Sequence, residues 1–554
     1  MNLDASDWLL EALAAEGVGV LFGNPGSTEL PLMDALARQG RVRYVLGLTE
    51  AAVIGMADGY AQQSGQMSAA NVHVQPGLAN ALSGILNAAR ARVPMLVTVG
   101  QQVRSMLPGA PFLGGELVAM AAPLAKGAWE AERAEDLPAL LARAVRVART
   151  PPCGPVVLSI PMDLQVAPAP ASHPPSPGEA PPAPDPEALT RAAALLGAAR
   201  APVVLLGDGV AHAQASRVAA AVAERLGAPI LGEPFAARAP LPTDHPLWRG
   251  PLPGFASEIH TALTGHDVAL AVGMPVFRLF GVSEGPALPG GVSLVHLDVD
   301  PDEVGRTYPP AVGMVAHPGL ALEGLLRSLG PPDDAARARR VRSEAEAAAI
   351  RRGRRAALAR GGDGAISPQA FCRAVAAIAA PRDLVVDEAL TSGRLLRSAL
   401  SGRRPGTWLA HRGSALGWGL PAAVGAALAD PARRVIALHG DGSFVFGAPA
   451  LWTAAREGVP MALVIADNGG YEILRAGLEG LTGRAHGGWP GLAIDGPALD
   501  LVALAHGFGA DAAAVSEPAE LREAMADLMS RATGGPAVLV VRVSGRTPPV
   551  GYPL

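Results

Sequence analysis

Cysteine is scarce in this sequence. The chain of 554 residues contains two cysteines, Cys153 and Cys372, which lie far apart and belong to no C-x-x-C or Cys/His ligand pattern. Neither a disulfide framework nor a zinc site is therefore indicated. A reducing compartment suits such a protein best, and we expect it in the cytoplasm.

A basic stripe and a long apolar run are also missing. The formal net charge is -5, without the concentration of positive charge that nucleic-acid binding requires. No apolar run is long enough to cross a bilayer without a polar interruption. The start, MNLDASDWLLEALAAEGV, lacks the basic region of a signal peptide and predicts an amphipathic helix that begins at Asp4 or Ser6. We expect neither nucleic acid nor a membrane as a partner.

The length and composition that are present predict a large multidomain protein. Hydrophobic residues make up 49% of the chain. Its length of 554 residues far exceeds the size that one hydrophobic core organises. A proline-rich stretch at 167–189 predicts a linker, and a charged stretch at 333–364 predicts a surface helix. The predicted domains are therefore 1–166, 188–330 and 365–554.

Short apolar runs alternate with helical patterns in all three blocks. Such near-continuous runs are typical of parallel strands that are covered on both faces, which predicts an α/β fold with a doubly wound parallel sheet in each domain. Ligands bind beyond the carboxyl ends of strands in sheets of this kind. The runs are RYVLGL, PMLVTVG, PVVLSI, PVVLLG, DVALAVG, SLVHLDVD, RVIALHG, MALVIAD and AVLVVRV.

Two predicted strands between 435 and 467 each end in a glycine-rich turn with one oxygen-bearing side chain. Asp441 follows the first strand, a helix is predicted over 447–457, and Asn468 follows the second strand. Both turns should lie at the same sheet edge, so a carboxylate and an amide oxygen can meet there. These are ligands that Mg²⁺ prefers, and the exposed backbone amides beside them suit phosphate. The alternative to a metal and phosphate site is that both segments are ordinary turns without a ligand. The G-D-G at 207–209 has no such partner turn, and we interpret it as structural.

This arrangement resembles the signature of thiamine diphosphate enzymes, a G-D-G turn, a helix, a strand and an (N/D)-N-G turn. In that family the pair holds Mg²⁺ and the cofactor diphosphate. The resemblance implies that Asp441, the Asn468 side chain and the Gly470 carbonyl are metal ligands. It implies cofactor contacts for Gly442, Ser443 and Tyr471. Asp467 departs from the first Asn that many relatives have.

The resemblance extends over nearly the whole chain and is strongest to benzoylformate decarboxylase and its relatives. It implies that Leu416 bends the cofactor, that the Ser414 carbonyl faces the aminopyrimidine, and that Thr391 and Ser392 reach the diphosphate. The segments that carry it, in order, are LFGNPGSTELPL, LTEAAVIGMADGYAQ, NVHVQPGLANALSGILNAA, VTVGQQ, GPVVLSIP, GMPVFR and ALGWGLPAAVGAAL.

Three residues of the first block match the family's catalytic positions. Glu50 matches the residue that hydrogen-bonds the cofactor's pyrimidine ring, although a Glu at a helix start is also an ordinary stabilising feature. Ser27 matches a serine that contacts the substrate carboxylate, and its alternative role is a helix N-cap, which Thr28 can also fill. His73 matches a histidine that relays protons, with a purely structural role as the alternative.

Several residues that the resemblance places near the substrate differ from those of the family. Leu279 and Phe280 stand where relatives have a second catalytic histidine, and Phe280 cannot transfer a proton. His411 is a candidate replacement, or else a residue at the surface or behind the site. Ile473 and Gly477 follow the metal turn where relatives line the substrate pocket, which suggests a reshaped apolar pocket.

The resemblance implies decarboxylation of a 2-oxo acid to an aldehyde with thiamine diphosphate and Mg²⁺. A carboligase that couples the intermediate to an acceptor aldehyde is the alternative, because Phe280 removes a proton donor. A non-catalytic subunit should have lost Glu50 or the metal ligands, and a Rossmann oxidoreductase should show G-x-G-x-x-G after the first strand. The family builds its sites between subunits, which implies a homodimer at least and a homotetramer by resemblance. FAD in the middle domain is an option that no motif indicates.

Overall fold

The computed structural model describes residues 4–170, 176, 178, 180–281, 283–360, 364–400, 402–484, 488–494 and 496–544. Parts of five predictions lie outside these residues. They are residues 1–3 of the predicted N-terminal domain, 171–175, 177 and 179 of the predicted linker, 282 of the predicted middle domain, 361–363 of the predicted surface helix, and 401, 485–487, 495 and 545–554 of the predicted C-terminal domain.

The described strands form three six-stranded sheets in which neighbouring strands are parallel, which confirms the predicted fold class. The N-terminal strands are β1 Val20–Gly23, β2 Arg43–Leu46, β3 Ser68–Val72, β4 Met95–Gln101, β5 Gly127–Glu130 and β6 Pro155–Pro161. The middle strands are β7 Pro202–Leu206, β8 Ile230–Gly232, β9 Trp248–Pro251, β10 Val268–Val272, β11 Ser293–Asp298 and β12 Val312–Val315. The C-terminal strands are β13 Leu384–Glu388, β14 Trp408–Ala410, β15 Val435–Gly440, β16 Met461–Asp467, β17 Asp511–Val515 and β18 Pro536–Arg542.

The two outer sheets share one strand order, and the middle sheet has another. The N-terminal order is β2-β1-β3-β4-β6-β5, and the C-terminal order, β14-β13-β15-β16-β18-β17, repeats it. The middle order is β12-β11-β10-β7-β8-β9. In every sheet the order reverses direction next to its first strand, which is where open parallel sheets bind ligands. These points are β1/β3, β7/β10 and β13/β15.

Helices pack on both faces of each sheet. The N-terminal helices are α1 Ala5–Ala15, α2 Leu30–Arg38, α3 Glu50–Ser64, α4 Val74–Arg90, α5 Leu117–Ala121, α6 Leu137–Arg149 and α7 Met162–Gln165. The middle helices are α8 Pro186–Gly197, α9 Asp208–His212, α10 Ser216–Leu226, α11 Ala256–Leu263 and α12 Pro318–Ser328, followed by the connecting helix α13 Asp334–Ala359. The C-terminal helices are α14 Pro368–Ile378, α15 Gly393–Ala399, α16 Gly419–Ala429, α17 Asp441–Gly447, α18 Pro449–Arg456, α19 Glu472–Thr482, α20 Leu501–Gly507 and α21 Leu521–Arg531. Among the described residues no helix is long and apolar enough to traverse a membrane.

The helix predicted over 447–457 begins earlier and is interrupted, so that prediction was wrong in its bounds. Helix α17 begins at Asp441, directly after β15, because the Ser443 hydroxyl accepts the Gly440 N–H at 3.0 Å and caps the first turn. Pro449 then opens a second helix, α18, at a position that proline favours. The G-D-G turn and the helix are therefore one continuous structure.

The N- and C-terminal domains share one hydrophobic core across α3 and α16. The two helices approach so closely that only glycine fits at their contact. A Cβ on Gly59 would lie 2.0 Å from the Ala422 carbonyl oxygen, and one on Gly425 would lie 1.9 Å from that of Met56. This close backbone approach fixes the two domains against each other.

A buried carboxyl lies in the same interface. Asp58 of α3 accepts hydrogen bonds from the Trp418 indole at 2.7 Å and from the Gln62 amide at 2.7 Å. Burial raises the pKa of Asp58 to about 6, against the opposing effect of these two donors. Asp58 therefore binds its proton at a higher pH in the folded protein than in the unfolded chain.

We expect Asp58→Asn to change how stability depends on pH. A raised folded-state pKa stabilises the fold below the unfolded pKa, and this contribution is lost as pH rises through about 6. The free energy of unfolding of Asp58→Asn relative to wild type should therefore rise by roughly 3 kcal/mol between about pH 4 and pH 7. Denaturant unfolding at several pH values measures this. Asp34→Asn, at an exposed carboxylate, is the control and should run parallel to wild type; a parallel curve for Asp58→Asn would refute the prediction.

Candidate active site

A cavity of about 450 Å³ lies at the carboxyl ends of β13 and β15, where the C-terminal strand order reverses. It brings together ten of the residues that the sequence singled out. They are Thr391, Ser392, Leu416, Asp441, Gly442, Ser443, Asn468, Gly470, Tyr471 and Ile473. The remaining lining residues are Glu388, Ala389, Leu390, Gly440, Ala466 and Glu472, which sequence reasoning did not assign to the site.

Asp441 and Asn468 meet at one backbone amide. The Gly470 N–H donates to the Asp441 Oδ2 at 3.0 Å and to the Asn468 Oδ1 at 3.2 Å. The other Asp441 oxygen accepts the Gly442 N–H at 2.7 Å. The two turns therefore converge although 27 positions separate the side chains, which is what parallel neighbouring strands require.

This set of oxygen atoms fits Mg²⁺. Burial raises the pKa of the Asp441 carboxyl, so the ionised form gains from a nearby cation. No group of three His, Cys, Asp or Glu side chains within the described part of the chain could hold a metal. One carboxylate with an amide oxygen and a carbonyl, completed by phosphate oxygens and water, is a usual Mg²⁺ environment. The Gly470 carbonyl accepts the Glu472 N–H at 3.1 Å and retains a second lone pair.

The wall beside this set is shaped by glycine. A Cβ on Gly442 would lie 2.7 Å from the Tyr471 ring, so only glycine leaves that ring its place in the cavity wall. A Cβ on Gly470 would lie 2.3 Å from the Leu492 carbonyl oxygen. Glycine at these two positions therefore lets the two turns and their neighbours pack closely around the cavity.

Glu388 supports the cavity from beneath and was not predicted. Its carboxylate accepts the N–H groups of Trp418 and Gly419 at 3.1 and 3.0 Å, at the start of α16. Its carbonyl oxygen accepts the Ser443 hydroxyl at 3.1 Å. Burial raises the pKa of Glu388 to about 8, and the backbone N–H donors act in the opposite sense. A strand ending in two acidic residues, Asp387 and Glu388, was the signal in the sequence.

The loop formed by residues 411–418 carries Leu416 into the cavity wall and is held by all three domains. Asn87 of the N-terminal domain donates to the Ala415 carbonyl at 2.8 Å and accepts its N–H at 3.2 Å. Ser414 has φ 63°, a left-handed conformation that is strained for residues other than glycine. The Ser414 side chain itself is not among the described cavity-lining groups.

The middle domain holds the same loop through a buried ion-pair cluster. The Arg412 guanidinium binds the Asp208 and Glu233 carboxylates, and all three side chains are under 10% exposed. Burial raises the pKa of Glu233 to about 7, while Arg412 opposes this. Asp208 belongs to the G-D-G at 207–209, so that turn is structural as predicted but also joins two domains.

A second cluster lies in the N-terminal domain, at the reversal point between β1 and β3. His73, directly after β3, contacts the buried Glu29 carboxylate through Nδ1 at 2.8 Å and the Thr28 hydroxyl at 3.1 Å. Glu50 is the first residue of α3 and accepts the Asn80 amide at 3.1 Å. Ser27 is exposed and is not the N-cap of its short helix, a position that Gly26 occupies. Glu29 was missed because only the fold shows that its carboxylate orients His73.

The two clusters do not share a cavity within one chain. Glu50, His73 and Ser27 are absent from the described residues that line the C-terminal cavity. Gly477 is buried in α19 outside that lining. His411 is also outside it, and burial together with Arg397 lowers the pKa of His411 to about 4. His411 is therefore neutral near pH 7.

Phe280 belongs to an aromatic cluster of the middle domain. Its ring lies 6.2 Å from that of Phe235 and 6.0 Å from that of Phe255. It is nevertheless 52% exposed and remains available to a second molecule. Phe280 does not line the cavity of its own chain.

The middle domain does not fit a flavin dinucleotide. At its reversal point, between β7 and β10, the Gly209 N–H donates to the Gly273 carbonyl at 2.9 Å, and a Cβ on Gly209 would lie 2.6 Å from the Gly273 Cα. Backbone therefore fills the crevice in which a dinucleotide pyrophosphate binds in sheets of this order. The adjacent Asp208 carboxylate would also repel phosphate.

Comparison with protein families matches three consecutive parts of the chain. Residues 3–119 match the thiamine pyrophosphate enzyme N-terminal TPP binding domain, residues 189–325 the central domain, and residues 392–541 the C-terminal TPP binding domain. The central match contains all six strands of the middle sheet, the N-terminal match contains β1 to β4, and the C-terminal match begins after β13. Thiamine pyrophosphate is another name for thiamine diphosphate.

Individual relatives cover nearly the whole chain. Benzoylformate decarboxylase of Pseudomonas aeruginosa is 38% identical over 93% of this chain and 94% of its own length. Acetolactate synthase isozyme 1 large subunit of Escherichia coli is 27% identical over 97% and 93%. The solved structure of the Rhodococcus jostii thiamine diphosphate-dependent 4-hydroxybenzoylformate decarboxylase superposes with a TM-score of 0.87 at 32% identity, covering 98% of this chain and 100% of that one.

Replacement of Asp441 tests the metal site. Asp441→Ala should weaken the binding of thiamine diphosphate in the presence of Mg²⁺ by at least about 100-fold, because it removes the one carboxylate of the predicted ligand set. Isothermal titration calorimetry measures the affinity.

Asp467→Asn is the matched control for this prediction. Asp467 lies in the other of the two converging turns, directly before Asn468, but its carboxylate contacts Arg542 and the Gly469 N–H, not the cavity. The control should retain near wild-type affinity. Unchanged affinity in Asp441→Ala, or an equal loss in both variants, would contradict the assignment.

Proposed function

Because the chain belongs to the thiamine pyrophosphate enzyme family, we propose that it decarboxylates a 2-oxo acid of the benzoylformate type to the corresponding aldehyde. The observation that carries the proposal is the convergence of Asp441 and Asn468 on the Gly470 amide, in a cavity that also contains Leu416. The similarity to benzoylformate decarboxylase supports the substrate class.

The C-terminal domain would hold thiamine diphosphate and Mg²⁺. Asp441, Asn468 and the Gly470 carbonyl would bind the metal, while the Ser443 and Gly442 end of α17 and the Thr391–Ser392 turn would face the diphosphate. When bound, the cofactor supplies a carbon nucleophile and an electron sink for the pair left by departing CO₂. Leu416 would fix the shape of the bound cofactor by filling the cavity wall beneath it.

The N-terminal cluster would supply proton transfer and substrate binding. Glu50, partly buried at the start of α3, would hold a proton on the cofactor's pyrimidine side. His73, oriented by Glu29 and Thr28, would exchange a proton near the substrate, and the exposed Ser27 hydroxyl would bind the substrate carboxylate. Donors and acceptors placed in advance in this way stabilise developing charge without reorganisation.

A complete site would need two copies of the chain, since the two clusters do not share a cavity within one. We therefore expect a homodimer as the minimum and a homotetramer as the family's usual assembly. Mixing Glu50→Gln with Asp441→Ala after dissociation should restore activity that neither variant has alone, since one site of a mixed dimer then carries neither change. Mass spectrometry shows whether mixed dimers have formed. If they have formed and the mixture is as inactive as each variant alone, active sites shared between subunits are refuted.

Carboligation to a 2-hydroxy ketone is the second candidate function. The observation that favours it is the absence of a histidine at 280, where Phe280 is half exposed in an aromatic cluster. His411 does not support an alternative proton donor, since it is outside the cavity lining and burial lowers its pKa to about 4. With no proton donor at position 280, coupling to an acceptor aldehyde would compete better with the release of free aldehyde.

Product analysis decides between these functions. The enzyme with thiamine diphosphate and Mg²⁺ is given benzoylformate or pyruvate, each with and without added benzaldehyde, and products are measured by chromatography. We expect CO₂ and free aldehyde from benzoylformate, with little coupled product. Mostly 2-hydroxy ketone would instead establish the carboligase, and no turnover of any 2-oxo acid would refute both.

Phe280→His should shift this product ratio toward free aldehyde, because an imidazole can protonate the intermediate that a phenyl ring cannot. The expected change is several-fold in the aldehyde-to-ketone ratio. Phe255→His, in the same aromatic cluster but less exposed, is the matched control and should leave the ratio unchanged. An identical ratio in Phe280→His and wild type would show that position 280 does not face the reaction.

A further inference from the structure

A second cavity, with an empty volume of about 560 Å³, lies between the middle and C-terminal domains. It is distinct from the cofactor cavity and shares no lining residue with it. The middle domain contributes residues after β8 and in β9, and the C-terminal domain contributes Arg397, Leu400, Arg403 and Trp408.

The wall of this cavity is apolar and aromatic over most of its area. Trp248 and Trp408 belong to opposite domains, and Leu400 lies beside them. The other apolar members are Ala236, Ala239, Pro240 and Pro251. Such a lining suits the body of a ring-sized molecule.

The polar groups of the wall are nearly all hydrogen-bond donors, and several lack acceptors. Among the described residues, Arg397 Nε, one terminal nitrogen of Arg403 and Trp408 Nε1 are buried without a hydrogen-bond partner. Arg403 is 2% exposed and Trp408 is 6% exposed, so water does not satisfy them either. Buried donors without a partner are rare in native structures, so three of them around one cavity call for an acceptor.

Most of the charged side chains that line the cavity are positive. Arg238, Arg397 and Arg403 line the cavity against one carboxylate, Glu233, which is engaged by Arg412. In the described part of the chain neither Arg397 nor Arg403 forms an ion pair. Arg397 stacks on the Trp408 ring, with 5.5 Å between the guanidinium carbon and the ring centroid, and Arg403 donates to the Asp383 carbonyl at 2.8 Å. Asp387 and Asp383 lie close enough to Arg397 and Arg403 to interact with them electrostatically, but neither carboxylate lines the cavity.

We propose that this cavity binds a small carboxylate with an apolar, ring-sized body, at a site separate from the cofactor cavity. The carboxylate accepts from Arg397, Arg403 and the Trp408 indole, and the body lies between the two tryptophans. Carboxylates are the acceptors that a guanidinium binds most strongly in a poorly solvated site. Arg397 belongs to α15, which begins directly after the predicted cofactor contacts Thr391 and Ser392, so the two sites share one short helix.

Calorimetry with benzoate as the probe, on the full chain loaded with thiamine diphosphate and Mg²⁺, tests the proposal. We expect Arg397→Gln to weaken binding at this site by at least about tenfold, and Trp408→Phe, which keeps the ring and removes only the N–H donor, to weaken it several-fold. Arg143→Gln is the matched control, because Arg143 stacks on Trp129 at 5.1 Å in the same manner but outside the cavity. Neutral benzamide should bind at least about tenfold more weakly than benzoate to the wild type.

Crystals of the same holoenzyme soaked with 4-bromobenzoate locate the ligand directly. Anomalous bromine scattering between Trp248 and Trp408 supports the proposal. Scattering confined to the cofactor cavity or the molecular surface overturns it. Wild-type benzoate affinity in both Arg397→Gln and Trp408→Phe also overturns it, and equal affinity for benzamide overturns the assignment of an anion.

Discussion

The shape of the cofactor cavity depends on one buried guanidinium. Arg412 fixes the 411–418 loop to Asp208 and Glu233 of the middle domain, and its side chain is 9% exposed. Where water is this scarce, loss of one partner leaves the others as uncompensated charges, at a cost of about 3–5 kcal/mol. Leu416 lies four positions further along the loop. The middle domain therefore shapes a cavity that none of its described residues lines.

The other domains complete this constraint. Asn87 holds Ala415 from the N-terminal domain, and Glu388 holds the amides at the end of the loop from below. Strained backbone such as that of Ser414 persists only where its surroundings determine it from several sides. Since the three anchors come from three domains, any shift between domains would act first on this loop. The glycine contacts between α3 and α16 oppose such a shift.

Local features of the fold and site could be predicted from the sequence, and contacts between domains could not. The apolar runs quoted in the sequence form strands because a strand covered on both faces has a pattern of its own. Asp441 and Asn468 could be paired because neighbouring parallel strands end at one edge. By contrast, Arg412 and Asp208 are 204 positions apart and meet only through domain docking. The Glu29 contact with His73 lies within one domain, but the two residues are 44 positions apart and left no periodic signal in the sequence either.

The reversal points of the three sheets differ in whether they are open to a ligand. In the C-terminal sheet the reversal point between β13 and β15 is open and forms the cavity, and in the N-terminal sheet the corresponding point between β1 and β3 carries His73. In the middle sheet the same point is filled by the contact between Gly209 and Gly273. The acidic side chain at this point, Asp208, forms an ion pair with Arg412 instead. The position that we propose to bind ligand in the outer domains thus serves the middle domain as the anchor for the neighbouring domain's cavity.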